Sequence, residues 1–180
     1  MAAIGSVSPR YRGFKSAVFA LLACNTTFYL FAGTLIQALD ATAWLVLLAL
    51  FTLETGFGER FRTGSAAISI RSARLAAAAV CAAGIGYGYQ HEWLDALNTG
   101  LWVAVVVLLE FEVRHPHTVE RRRAWFAATA ATLYAGLGTL VLVWAWRHAW
   151  FEAYDAALWL TAFAMIEMDV LQSFRSEATV

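Results

Sequence analysis

The sequence predicts an all-α integral membrane protein: six transmembrane helices arranged as three tandem, parallel helical-hairpin repeats. Three observations carry that expectation. Of the 180 residues 61% are hydrophobic and only 14% are charged, with a mean hydropathy of +0.60, whereas a soluble domain is about 45–50% apolar and about 25% charged. The charges fall in clusters, and the gaps between them are apolar runs of membrane-spanning length. Finally, Glu54, Glu110 and Glu167 recur inside hydrophobic segments at intervals of 56 and 57 residues, the mark of an internal repeat. No ten-residue alternating pattern of a membrane strand is present, which leaves helices as the spanning element.

The first span is expected over about 16–37. The first 39 residues hold no acid, and Arg10, Arg12 and Lys15 precede an apolar run from Ala17 to Ile36. That run is too long for a signal-peptide core and lacks a small-x-small cleavage site, so it reads as a retained span. Within it, Asn25, Thr26 and Thr27 form a polar notch expected to hydrogen-bond a neighbouring helix. The second span is expected over about 41–57, with Asp40 in the connection before it. Arg60, Arg62, Arg71 and Arg74 separate it from the third, about 73–90. The GxGxG run of Gly84–Gly88 is expected to be a packing surface rather than a phosphate loop. Glu92 and Asp95 precede the fourth span, about 96–113. A basic loop with Arg114, Arg121, Arg122 and Arg123 leads to the fifth, about 124–146. Glu152 and Asp155 precede the sixth, about 154–173, and Arg175 follows it.

Arginine-rich connections therefore alternate with acidic ones, in which Arg147 is the only cation. By the positive-inside rule both termini are cytoplasmic, and the expected location is a bacterial inner (plasma) membrane. Tyr89, Trp93, Trp146 and Trp150 flank the acidic turns, where interfacial aromatics belong. The basic loops would attract anionic headgroups.

The repeat is visible by direct comparison. Asp95–Val113 lies over Glu152–Val170 without a gap, matching Ala96/Ala153, Leu101/Leu158, Trp102/Trp159, Glu110/Glu167 and Val113/Val170. The first copy keeps the glutamate and little else. Ala-Gly recurs at Ala32-Gly33, Ala83-Gly84 and Ala135-Gly136. The chain then reads as one membrane domain, 1–180, with repeats over about 16–57, 73–113 and 124–173, able to pack about a pseudo-threefold axis. Mitochondrial carriers are similar in outline, but their proline-acid-x-x-base signature is absent. Small residues on the odd helices would permit close approach.

The glutamates are the first candidate site. At about 100° per residue, Trp102 and Glu110 share one face, as do Trp159 and Glu167. If the three even-numbered helices converge, Glu54, Glu110 and Glu167 form a carboxylate ring that must bind a cation, hold protons or recruit arginines. The plainer reading pairs each glutamate with a nearby arginine, Glu110 with Arg114 at i+4. A second, weaker constellation is His91 with Asp95 and His148 with Glu152, four residues apart at matching repeat positions and chemically able to ligate a transition metal. Its bland alternative is a turn inherited by duplication. Cys24 and Cys81 are expected to be small core hydrophobes, and His115 and His117 part of a solvated basic loop.

Several chemistries are excluded. No lysine lies in mid-membrane for a retinal Schiff base, and no histidine pair lies at depth for bis-histidine haem. Walker, GxSxG and nucleic-acid modules are absent. The expected function is a small cation or proton channel or transporter using the glutamate triad. The alternative is an accessory or scaffold subunit of a membrane complex, with the glutamates in structural ion pairs. A metal-dependent membrane enzyme is the weaker third reading. No cofactor is expected beyond a bound cation. The expected partners are the lipid bilayer and a second copy or membrane-complex subunit, with no nucleic acid.

Overall fold

A computed structural model describes the backbone of residues 9–62 and 66–177; side chains are described for 11, 13–50, 52, 72–112, 114, 115 and 117–166. Among the described residues the chain is all helix: α1 (Pro9–Ala32), α2 (Leu35–Arg62), α3 (Ala66–Tyr89), α4 (Trp93–Arg114), α5 (Pro116–Arg121), α6 (Arg123–Trp146) and α7 (Trp150–Glu177). Three stretches are long and apolar enough to cross a membrane: Gly13–Ala32, Trp93–Glu112 and Arg123–Trp146. A shorter apolar stretch covers Leu35–Leu50.

The helix ends differ from the sequence expectation: α2 runs on to Arg62 rather than 57, α3 begins at Ala66 rather than 73 and α7 covers Trp150–Glu177 rather than 154–173, so Arg60, Arg62, Arg71 and Arg74, expected between the second and third spans, are helical. Two further differences concern the connections. The first helix stops at Ala32 rather than near residue 37, and the second starts at Leu35. Hydropathy runs unbroken through this turn, so it gives no sign of the boundary. The sign is chemical. Thr34 and Gln37 make a reciprocal capping box: the Thr34 amide donates to Gln37 Oε1 at 2.9 Å and the Gln37 amide to Thr34 Oγ1 at 3.3 Å. In consequence Asp40 is not in a connection but inside α2, more than a turn from its start. The second difference is in the loop expected after α4. It folds into the short α5, opened by Pro116, whose fixed φ and missing N–H suit a first helical turn.

The turns from α3 to α4 and from α6 to α7 have the same geometry. The Glu92 amide donates to the Tyr87 carbonyl at 3.0 Å and that of His91 to Gly88 at 3.2 Å. In the second turn the Ala149 amide donates to Trp144 at 2.9 Å and that of His148 to Ala145 at 3.1 Å. Both are Schellman caps, and the left-handed residue each requires is a histidine, with φ of 61° in each. His91 lies edge-on to Trp93 and His148 edge-on to Trp150, with ring centroids 6.0 Å apart in each pair. The tryptophans thus open α4 and α7 and lie exposed.

The chain forms two compact units. One comprises Asn25–Leu140; in it α2 packs on α3, and α3 on α4. The buried stripe of α3 is Ala76, Val80, Ala83 and Tyr87, at alternating spacings of four and three. Small residues set the helix separation here: a Cβ on Gly84 would lie 3.3 Å from Thr99 Cγ2, and one on Gly86 only 2.7 Å from Ile36 Cδ1. The GxGxG run is therefore a packing surface, as expected. Trp44 of α2 meets Trp102 of α4 edge-on at 6.3 Å.

The other unit comprises Met1–Cys24 and Val141–Val180. Val18 and Leu22 of α1 are buried, as are Trp144 of α6 and Ala153, Ala156, Trp159, Ala162 and Met165 of α7. The Tyr11 hydroxyl donates to the Met165 carbonyl at 3.2 Å.

Outside these stripes the helices remain apolar. Phe31, Leu75 and Leu142 are 88%, 72% and 70% exposed. Cys24 and Cys81 are exposed too, not core as expected. Apolar surface on all sides of a helix, with one stripe covered by protein, is what a lipid solvent permits.

Candidate functional site

The buried stripes of α2, α3 and α4 each end in a polar residue. On α2 the series Asp40, Trp44, Leu48 advances by four, so the carboxylate continues the stripe that buries the tryptophan. On α3 Tyr87 completes the series from Ala76. On α4 Thr99 precedes the buried Trp102 and Val105. The three polar groups meet: Tyr87 Oη lies 3.4 Å and Thr99 Oγ1 3.5 Å from the same oxygen, Asp40 Oδ2. Tyr87 and Thr99 are each only 3% exposed. Both hydroxyls donate to that oxygen, at distances long beside the usual ~2.5–3.0 Å of an O–H···O bond.

More polar groups surround this centre. Asp95 and Glu92, from the start of α4, and Tyr29 of α1 lie within electrostatic range of the Tyr87 phenol. Thr42 Oγ1, Glu92 Oε2 and Asn98 Oδ1 are buried with no hydrogen-bond partner among the described residues. The end of this unit nearest the α3–α4 turn is therefore acidic and hydroxyl-rich, above an apolar floor of Trp44 and Trp102. Chemically, such a site can hold a proton on Asp40 or offer oxygen ligands to a hard cation. Among the described residues no group of three or more His, Cys, Asp or Glu side chains is placed to hold a metal ion.

Of the predicted glutamates, only Glu110 has a described side chain; Glu54 and Glu167 lie outside the described side chains. Glu110 accepts a hydrogen bond from Arg114 Nε at 2.6 Å and pairs with its terminal guanidinium nitrogen as well. Both partners are exposed, and Glu110 points off the buried stripe of α4 that carries Trp102 and Val105. Trp102 and Trp159 are buried, Trp102 against Trp44 and Trp159 beside Phe163 at 6.5 Å. Tryptophan and glutamate thus diverge on α4, being about 80° apart around an ideal helix.

Of the histidine–acid pairs, His91 and His148 are the left-handed caps described above, and both are exposed. Asp95 and Glu152 lie in the first turns of α4 and α7, where a carboxylate favours the positive end of the helix dipole. His115 stacks on Phe111 at 4.5 Å, and Phe111 on Phe126 at 5.5 Å, so the loop histidine is packed on an aromatic column.

Tyr87 and Thr99 escape a reading based on charged residues. The signal for Asp40 was available: it stands four and eight residues before Trp44 and Leu48, on their face. No family model matches the chain, and no curated protein or solved structure matches it either.

Proposed function

We propose that this chain is a six-span membrane protein of three parallel hairpins that passes a cation or protons, with Asp40, Tyr87 and Thr99 as the binding site of the outer half. The observation that carries the reading is the convergence of two buried hydroxyls on one oxygen of a carboxylate inside α2. A carboxylate within an apolar span is costly unless protonated, paired or bound to a cation. Two hydroxyls and a carboxylate gathered at one point are oxygen groups of the kind that hold a proton or a hard cation. Glu92 and Asp95 would draw cations toward the opening. The sequence alone offered no polar path through the outer half; on this reading the cluster would form part of one.

Six spans are supported by length. Helices α1, α2, α3, α4, α6 and α7 hold 24, 28, 24, 22, 24 and 28 residues, roughly 33–42 Å at 1.5 Å per residue, against ~30 Å of hydrocarbon. The likeness of the second and third hairpins is supported by the matched histidine caps 57 residues apart. The arginine pattern supports cytoplasmic termini.

The test is flux of protons and monovalent cations in proteoliposomes. Asp40→Asn should cut flux roughly tenfold or more, the effect of losing a charged ligand worth about 1.5–3 kcal/mol, while size-exclusion behaviour stays that of wild type. Absence of flux in the wild type would sink the proposal. A second reading, an accessory subunit, is favoured by the Glu110–Arg114 pair, which satisfies that carboxylate locally. On that reading a Glu54/Glu110/Glu167→Gln variant loses stability or assembly, and no variant changes flux.

A further inference from the structure

We propose that the groove between α4 and α6, beside α5, holds an anionic phospholipid, with its phosphate on Arg122 and an acyl chain against Leu108 and Phe126. The groove has a volume of about 400 Å³ and is lined by Leu108, Arg122, Trp125, Phe126 and Thr129. Binding pockets for small ligands start at about 300 Å³, enough here for a headgroup and the first part of a chain.

Three features select this occupant. First, the groove crosses the boundary between headgroup and hydrocarbon. The apolar stretch of α4 ends at Glu112 and that of α6 begins at Arg123. Leu108 lies one turn inside the first, and Phe126 and Thr129 lie one to two turns inside the second, while Arg122 is just outside. The groove is thus amphipathic along its length, as a lipid is.

Second, the charge is of the right sign and is available. From 114 to 123 the sequence carries Arg114, Arg121, Arg122 and Arg123 against Glu120 alone. Arg114 is engaged by Glu110, whereas none of Arg121, Arg122 and Arg123 is paired with a carboxylate among the described residues. A guanidinium can grip a phosphate through two parallel N–H bonds.

Third, Trp125 forms the rim and is 76% exposed. An indole has an apolar body and one N–H, and it settles at the headgroup level. By the arginine pattern this end faces the cytoplasmic leaflet, where anionic lipid concentrates. The inference uses the membrane placement of α4 and α6 and is independent of ion passage.

The test is native mass spectrometry of the full chain in an uncharged detergent, titrated with phosphatidylglycerol, phosphatidylcholine or inorganic phosphate. Wild type should retain phosphatidylglycerol in preference to phosphatidylcholine, and inorganic phosphate at equal concentration should not displace it. Arg122→Gln should weaken the retained lipid roughly fivefold, the effect of one basic residue at a membrane surface. Leu108→Trp, which fills the groove and leaves every charge in place, should weaken it too, so the test does not depend on one variant folding. Arg147→Gln, at the other end of α6, should change nothing. Equal retention of the two lipids, displacement by phosphate, or an unchanged preference in either groove variant would overturn the proposal. A failure of ion flux leaves these outcomes untouched.

Discussion

Glu110 and Asp40 are both carboxylates on apolar helices, and their surroundings give them different work. Glu110 stands at the end of its span with Arg114 one turn beyond, in the order that favours an i,i+4 pair. Both groups are exposed, so the pair is screened and its contribution small. Glu110→Gln and Arg114→Gln should each lower stability by roughly 0.3–0.5 kcal/mol, and the double variant by no more than either alone. Melting of the three variants in detergent checks this. A large loss from Glu110→Gln alone, unrelieved by the change at Arg114, would show a second partner for Glu110. Asp40 has no such local cation in the sequence: the nearest basic residues are Lys15 and Arg60. Its neighbours are hydroxyls from two other helices, brought there by packing. Sequence spacing found the first pair because it is local. It missed the second because Tyr87 and Thr99 are 47 and 59 residues from Asp40.

The type and order of the long helices were legible, but their ends were not: at the arginine cluster α2 runs to Arg62 and α3 begins at Ala66, because helix continues past the apolar run, and an apolar turn leaves no mark in polarity at all. The α1–α2 turn is apolar on both sides, and only the side-chain pair Thr34 and Gln37 marks it. The Schellman caps teach a related lesson. Glycine is the usual residue in the left-handed position, yet His91 and His148 occupy it with φ of 61°. A side chain there costs roughly 1–2 kcal/mol, offset in part by the contact of each imidazole with the tryptophan two residues on. His91→Gly should therefore melt at or above the wild-type temperature, whereas His91→Val should melt lower, since a branched side chain is strained at that φ. If His91→Gly melts well below wild type, the imidazole carries more than a cap contact, and the metal reading of His91 and Asp95 regains ground; metal analysis of the purified protein would then decide it.

At the scale of the whole molecule the question is parity. If only the three long apolar stretches of α1, α4 and α6 crossed the membrane, the termini would face opposite sides. If α2, α3 and α7 cross as well, the termini face the same side. The turns favour the second arrangement. The α3–α4 and α6–α7 caps are tight, so on the six-span reading the end of one helix and the start of the next would lie at one membrane surface. Acid and exposed aromatics gather at these turns, with Arg147 their only arginine, whereas arginines cluster about the other connections, at Arg60, Arg62, Arg71 and Arg74 in the helix ends of α2 and α3 and at Arg121–Arg123. In the three-span case the basic residues around Arg60–Arg74 and those around Arg121–Arg123 would have no common side to occupy. A cysteine-free background (Cys24→Ala with Cys81→Ala) makes the test direct, because both native thiols are exposed on apolar helices. Single cysteines at the exposed positions Gln90 and Arg147 should react with a membrane-impermeant maleimide added to intact cells. One at the exposed Glu120 should react only after permeabilisation, as should cysteines placed at either terminus. Labelling of the two termini from opposite sides would reduce the protein to an odd number of spans. The parallel hairpins would then be lost, and with them the reason for expecting Glu54, Glu110 and Glu167 at one depth.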